Sequence, residues 1–221
     1  MVILTTALLT IASFASIIQI GNIYRLNHEN PFLKVGPFKY EFLNRIPEVA
    51  YVHDLISKAE ADKVLEVSRG KLKSTPYTYN GKYERYSKKR TSKVRYLSEA
   101  HDHNAKKISD KVKQVTRFVM KGNLLDSENF QVMNYGLGGT IGIHIDESNK
   151  DGDRHNSTDP IKTRIMTFMT YLSDVESGGH TIFPQIGLSV KPVKGSALFW
   201  FNIHPAMVFD SRLVHLGVSN S

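Results

Sequence analysis

From Asn129 onward, short β-favouring runs alternate with glycine and proline clusters, and this punctuation constrains the fold more than any other feature. The runs are Phe130 to Tyr135, Thr140 to Ile145, Arg164 to Leu172, Leu188 to Val190 and Ala197 to Asn202. Between them fall Gly136, Gly138 and Gly139, then Gly178, Gly179, Pro184, Gly187, Pro192 and Gly195. Runs this short with turns this frequent predict antiparallel strands arranged as a sandwich or jelly roll. Upstream the period changes. Ser57 and Glu60 have the capping-box spacing and predict a helix through about Arg69 that Gly70 stops, with Val64 and Leu65 on its apolar face. Ser98 opens a second predicted helix, where Ile108, Val112, Val115 and Val119 recur at three- and four-residue steps. Val49 to Val52 predicts a short strand, and the Tyr-, Lys- and Ser-rich stretch from Ser74 to Lys89 a loop or hairpin. Pro31 and Pro37 discourage helix between Asn22 and Asn44. The pattern is α+β, with supporting helices on the N-terminal side of a β domain.

A chain of 221 residues suits one well-buried domain, and 41% hydrophobic with 23% charged residues is a globular composition. The formal net charge is +8, concentrated from Lys82 to Arg95 and from Lys106 to Arg117. The second stretch is the polar face of a predicted helix, where charge serves solvation, so nucleic acid is not an expected partner. Val2 to Ile20 carries no charge and is mostly Ile, Leu, Ala and Val. It predicts a signal peptide over residues 1–21, with Ser13 and Ala15 spaced for cleavage after Ala15. An uncleaved signal anchor is the alternative, and only that would tie the chain to a membrane. The domain then runs over 22–221. Asn156-Ser157-Thr158 is a glycosylation sequon in a Gly-, Asp- and Ser-rich surface stretch, which agrees with export. No cysteine is present to form disulfides.

Chemistry enters at His144-Ile145-Asp146. On a strand, residues i and i+2 project from one face, so the imidazole and the carboxylate point together while Ile145 turns to apolar packing. An imidazole from a distant strand would complete a facial set of two histidines and one carboxylate, the donor set of non-haem Fe(II) with coordination positions to spare. His215 is the candidate. By itself a His-x-Asp pair is weak, because nine histidines in 221 residues will often sit two from an acid.

The surrounding motifs are more specific. In order they are Asn30-Pro31-Phe32-Leu33, His53-Asp54, Arg90-Thr91-Ser92-Lys93, Gln131, Asn134-Tyr135-Gly136, Gly138-Gly139, His144 and Asp146. They continue with Arg164-Ile165, Tyr171, Ser173-Asp174-Val175, Gly178-Gly179, Thr181, Phe183-Pro184, Lys194-Gly195, Phe199-Trp200-Phe201-Asn202, Asp210-Ser211-Arg212 and His215. Together they resemble the C-terminal catalytic domain of animal prolyl 4-hydroxylase α subunits, of the 2-oxoglutarate/Fe(II)-dependent dioxygenase family. The resemblance implies a double-stranded β-helix (a jelly roll) that binds Fe(II) and 2-oxoglutarate, consumes dioxygen and uses L-ascorbate to keep iron reduced. Its implied substrate is peptidyl proline in a proline-rich or collagen-like peptide, its implied partner a protein disulfide-isomerase subunit, and its implied location the endoplasmic reticulum lumen. Position by position, His144, Asp146 and His215 match the catalytic iron ligands, and Tyr135 and Thr181 match residues that touch 2-oxoglutarate.

Departures from the family pattern are equally definite. The family sets a lysine about ten residues beyond the second iron-binding histidine, against the far carboxylate of 2-oxoglutarate. Here the sequence ends at Ser221, six residues after His215, so the domain is expected to be C-terminally truncated relative to the family. That lysine, the tryptophan after it and the final strand are missing, and Ile141 stands where the family has a tyrosine. A buried carboxylate without its cation costs on the order of several kcal/mol, so Arg164 or Arg212 must substitute or keto-acid binding is weakened. Two functions follow: a procollagen-proline 4-dioxygenase-like enzyme, or a non-catalytic jelly-roll relative acting as a binding or regulatory module. Nucleic-acid demethylation rests only on net charge and would show steeply salt-dependent binding.

Overall fold

The computed structural model describes residues 2–9, 33–35, 38–74, 77–79, 82–84, 91–120, 126–146, 164–204 and 208–217. In chain order the strands and helices are β1 (Val2–Leu9), β2 (Leu33–Val35), β3 (Phe38–Arg45), β4 (Glu48–His53), α1 (Lys58–Ser68), β5 (Lys73–Ser74), β6 (Tyr77–Tyr79), β7 (Lys82–Glu84), β8 (Lys93–Leu97) and α2 (His103–Met120). There follow β9 (Asp126–Ser127), β10 (Phe130–Asn134), β11 (Ile141–His144), β12 (Met166–Tyr171), β13 (Thr181–Phe183), β14 (Leu188–Val190), β15 (Ala197–Phe201) and β16 (His215–Gly217). A large sheet runs β2-β3-β4-β15-β12-β1-β10-β8-β5, with β9 paired to β1, and a small sheet runs β11-β16-β13-β14. From β10 on, the chain passes back and forth between the two sheets, except that β13 and β14 follow one another as a hairpin within the small one, a winding of the jelly-roll type. Strands β6 and β7 form a separate hairpin within the Tyr-rich stretch.

Period-two alternation in the large sheet produces two cores. On β12, Met166 and Phe168 face outward, where Ala61 and Val64 of α1 and Ile108, Val112 and Val115 of α2 cover them. Met169 and Tyr171 face inward with Tyr51, Leu198 and Trp200, against Phe183, Val190 and Leu213. All six residues of β12 are buried.

The helices start and stop for identifiable reasons. Ser57 caps α1 through a full capping box with Glu60, and Gly70 follows at φ 71°. Helix α2 begins at His103, later than the Ser98 start that the pattern predicts. The Asp102 carboxylate accepts from the backbone N–H groups of Asn104 and Ala105, while Ser98 closes a separate turn with His101 and Asp102. No helix among the described residues is long and apolar enough to cross a membrane.

Strand β1 lies between β10 and β12, antiparallel to both, with Ile3 opposite Met133 on one side and Tyr171 on the other. These residues belong to the apolar run that the sequence offers as a leader. An uncharged run beginning Val2-Ile3 and containing Thr5 and Thr6 also suits a strand flanked on both sides in mid-sheet. The cleavage site after Ala15 and the Asn156 sequon lie outside the described residues.

Candidate metal centre

Strands β11 and β16 run antiparallel and set His144 directly opposite His215. Their ring centroids are 4.3 Å apart, inclined at 53°. Each ring is anchored at Nδ1 by the carbonyl oxygen two residues upstream, Gly142 at 2.8 Å for His144 and Leu213 at 2.9 Å for His215. A carbonyl only accepts, so in each neutral ring Nδ1 carries the hydrogen and Nε2 keeps its lone pair. Asp146 lies just past the end of β11, yet its side chain still projects with that of His144. Its Oδ1 is 3.5 Å from His144 Nε2 and its Oδ2 3.8 Å from His215 Nε2. One donor atom from each of the three residues lies within 4.8 Å of the others.

The electrostatics suit a cation. Burial pushes the His215 imidazole down to about 4, although the Asp146 carboxylate pulls the other way, so the ring is neutral at pH 7 with its lone pair available. Burial alone would favour a protonated Asp146. Positive charge at the His215 position first, then at His144, together with the Thr167 hydroxyl, outweighs it and holds the carboxyl below the usual carboxylate range. Two imidazoles and one carboxylate, with both Nδ1 atoms tied down by carbonyls, fit the facial donor set of non-haem Fe(II). Neighbouring donors about 2.0–2.2 Å from an octahedral ion stand about 3 Å apart, so the separations of 3.5 and 3.8 Å would have to close by less than about 1 Å around it. Behind the site, Trp200 packs edge-on to His215 at 4.8 Å and Phe183 lies at 5.4 Å, an apolar backing that excludes water.

The other residues singled out from the sequence fall in three places. Thr181 is buried on β13, opposite Gly217, and its hydroxyl lies 3.1 Å from that of Tyr171. Gly217 is two residues from His215, and a Cβ placed there would lie 3.8 Å from the Tyr135 ring. Tyr135 and Thr181 therefore flank one position of β16, a single pleat from the metal donors. Arg164, by contrast, is committed elsewhere. It makes a bidentate pair with Glu128 at 2.9 and 2.8 Å, so an incoming keto-acid carboxylate would have to displace an existing one. Arg212 is likewise paired with Asp210, at 2.8 and 2.6 Å. Two further residues bear on the site without having been singled out for it: Thr167, whose hydroxyl donates to Asp146 Oδ2 at 2.6 Å, and Asn202, whose amide donates to Thr167 Oγ1 at 2.9 Å. The sequence signal for Thr167 is a polar residue on the inward face of a strand that is buried throughout.

Residues 130–216 match the family model of the 2OG-Fe(II) oxygenase superfamily. Prolyl 4-hydroxylase subunit alpha-2 of Gallus gallus is 32% identical over 193 residues, which is 87% of this chain and 35% of that protein. The human subunit alpha-3 is 30% identical over 213 residues (94% and 38%), and the mouse subunit alpha-1 33% identical over 184 residues (81% and 33%). The chain thus spans little more than a third of the length of these relatives. Among solved structures, the viral collagen prolyl hydroxylase of Paramecium Bursaria Chlorella virus-1, as its 2OG complex, superposes with a TM-score of 0.56 at 22% identity, over 78% of this chain and 88% of that one. A Pseudomonas putida prolyl-4-hydroxylase gives 0.55 at 14% identity, over 78% and 86%. At these identities the structural likeness is one of fold.

Proposed function

From the match of residues 130–216 to the 2OG-Fe(II) oxygenase family model and the likeness of the chain to prolyl 4-hydroxylase alpha subunits, we propose that it hydroxylates peptidyl proline with Fe(II), 2-oxoglutarate, dioxygen and ascorbate. The observation that carries this reading is the convergence of His144, Asp146 and His215, each with a donor atom facing the others. When bound, Fe(II) supplies oxidation of an unactivated C–H bond, in which 2-oxoglutarate and dioxygen become succinate and carbon dioxide and the second oxygen atom enters the product hydroxyl.

The chain's own residues do the rest. His144 and His215 would hold the ion through Nε2, and ionised Asp146 would balance one of its two charges. Trp200 and Phe183 keep solvent from the buried side of His215. Around Gly217, the Thr181 and Tyr171 hydroxyls and the Tyr135 ring are the groups that would hold the far end of 2-oxoglutarate.

A proline-rich or collagen-like peptide is the substrate in this reading, supported by what the relatives are called, and a disulfide-isomerase subunit is a partner by the same resemblance. The endoplasmic reticulum lumen rests on the apolar N-terminal run and the Asn156 sequon. Because β1 draws on the first half of that run, the mass of the mature N-terminus decides whether it is removed. The decisive assay incubates purified protein with Fe(II), 2-oxoglutarate, ascorbate and a proline-rich peptide. Succinate should form in proportion to hydroxyproline and be absent with His144→Ala; equal traces from the two proteins would end the enzymatic reading.

A further inference from the structure

The three metal donors are not held alike. Both imidazoles are fixed by backbone carbonyls and by the pairing of β11 with β16. Asp146 lies beyond the last paired residue of β11, and a free carboxylate there could rotate about χ1 and χ2. What fixes it is a chain of side chains from the large sheet. The Thr167 hydroxyl donates to Asp146 Oδ2 at 2.6 Å, a short bond of the charge-assisted kind. The Asn202 amide donates to that same hydroxyl oxygen at 2.9 Å.

The direction of each bond follows from chemistry. A hydroxyl has one proton, and an amide N–H arriving at its oxygen occupies a lone pair, so the proton must point elsewhere. Here it points at the carboxylate. Both outer members are themselves immobile. Thr167 sits mid-strand on β12, opposite Ala7 of β1 and Trp200 of β15, and is 5% exposed. Asn202 is 1% exposed, its backbone N–H donating to Ile165 at 2.7 Å and its carbonyl accepting from Asp210 at 3.0 Å.

We propose that Asn202 and Thr167 are positioning residues, a relay from the large sheet that turns the Asp146 carboxylate toward the two imidazoles and thereby sets the metal affinity of the site. This rests on the metal-centre reading and on no particular substrate. The relay leaves Oδ1 and one lone pair of Oδ2 for an ion, and it orders the ligand before any ion arrives, so the entropy of fixing it is not charged to binding.

The test uses Mn(II) as a redox-inert probe of the metal-free protein, with free Mn(II) read by electron paramagnetic resonance. Quenching of Trp200, the chain's single tryptophan, gives a second readout beside His215. Thr167→Val should weaken Mn(II) binding roughly 10- to 100-fold, as loss of such supporting groups does elsewhere, and Thr167→Ser should recover most of it. Asn202→Ala should weaken it by less. The double variant Thr167→Val/Asn202→Ala should be no worse than Thr167→Val alone, because the amide acts only through the hydroxyl. Wild-type affinity in Thr167→Val, or additive losses in the double variant, would overturn the relay. If Thr167→Val does not fold, Asn202→Ala against wild type tests the outer link alone, and unchanged affinity there overturns it as well. A wild-type protein that binds no Mn(II) would instead remove the metal centre itself, and the relay with it.

Discussion

The two sheets of this molecule are built to different standards. The large one has ten strands, a helical layer over one face, and members such as β12 whose every residue is buried. The small one has four strands of three or four residues, and the pairing of β11 with β16 shifts register between Ile141 and His144. Yet both imidazoles belong to the small sheet and Asp146 extends from its edge. A ladder that short cannot over-determine side-chain orientation, so orientation comes from added contacts: carbonyls at each Nδ1, aromatic rings behind His215, and hydroxyl and amide groups reaching across from the large sheet. Stability resides in one sheet and chemistry in the other.

The division predicts that the two sheets fail differently. Phe168 of β12 is 1% exposed and stacks on Phe199 at 5.5 Å, so Phe168→Ala should cost about 3–5 kcal/mol in urea unfolding. The folded fraction should nevertheless bind Mn(II) normally. Lost affinity in that fraction would mean that the sheets are not separable. Acid should act on the small sheet. In the metal-free protein the folded His215 resists protonation until about pH 4, whereas the unfolded chain takes up that proton near its ordinary value of 6.5. The unfolded state then binds more protons across that window, so stability is full above pH 6.5 and falls by up to about 3 kcal/mol on acidification to pH 4. Unfolding curves with metal chelated should show this fall in wild type and a much shallower one in His215→Leu.

His144 sharpens the contrast, because its side chain is 29% exposed and packs little. His144→Ala should weaken Mn(II) binding at least about a hundredfold while shifting metal-free stability by less than about 1 kcal/mol. A large stability loss would show that the metal strand also carries the fold.

The same division explains what could be read from sequence. Strands β10, β12, β14 and β15 announce themselves through apolar runs bounded by Gly or Pro, and α1 through the Ser57–Glu60 box. Strands β13 and β16 do not, because three residues are too few to show a period, and Thr181 and His215 are placed there by tertiary pairing. Strand β8 hides in the basic stretch, since only Val94 and Leu97 of its five residues are buried. His144 and Asp146 were legible as a same-face pair, whereas His215 came from the ordered family motifs. Arg164 shows the limit of position without geometry: its strand-end location is right for a site residue, but Glu128 already occupies its guanidinium. Thr167 and Asn202 act across 35 residues of sequence, a coupling that no local pattern encodes.

The finest probe of the small sheet is Gly217, where the two metal strands approach closely. A Cβ added there would come within 3.0 Å of the Ile141 side chain and 3.8 Å of the Tyr135 ring. Ile141 is a branched side chain on β11 itself, so relief comes by moving β16 away from β11, which separates His215 from His144. Gly217→Ala should therefore cost only about 1 kcal/mol of stability, the low end of overpacking, and weaken Mn(II) binding by less than about tenfold. Trimming the opposing side chain in Gly217→Ala/Ile141→Val should return part of that affinity without restoring any buried apolar area. Recovery of affinity would tie it to strand separation, whereas a further loss would mean that Ile141 acts through packing alone.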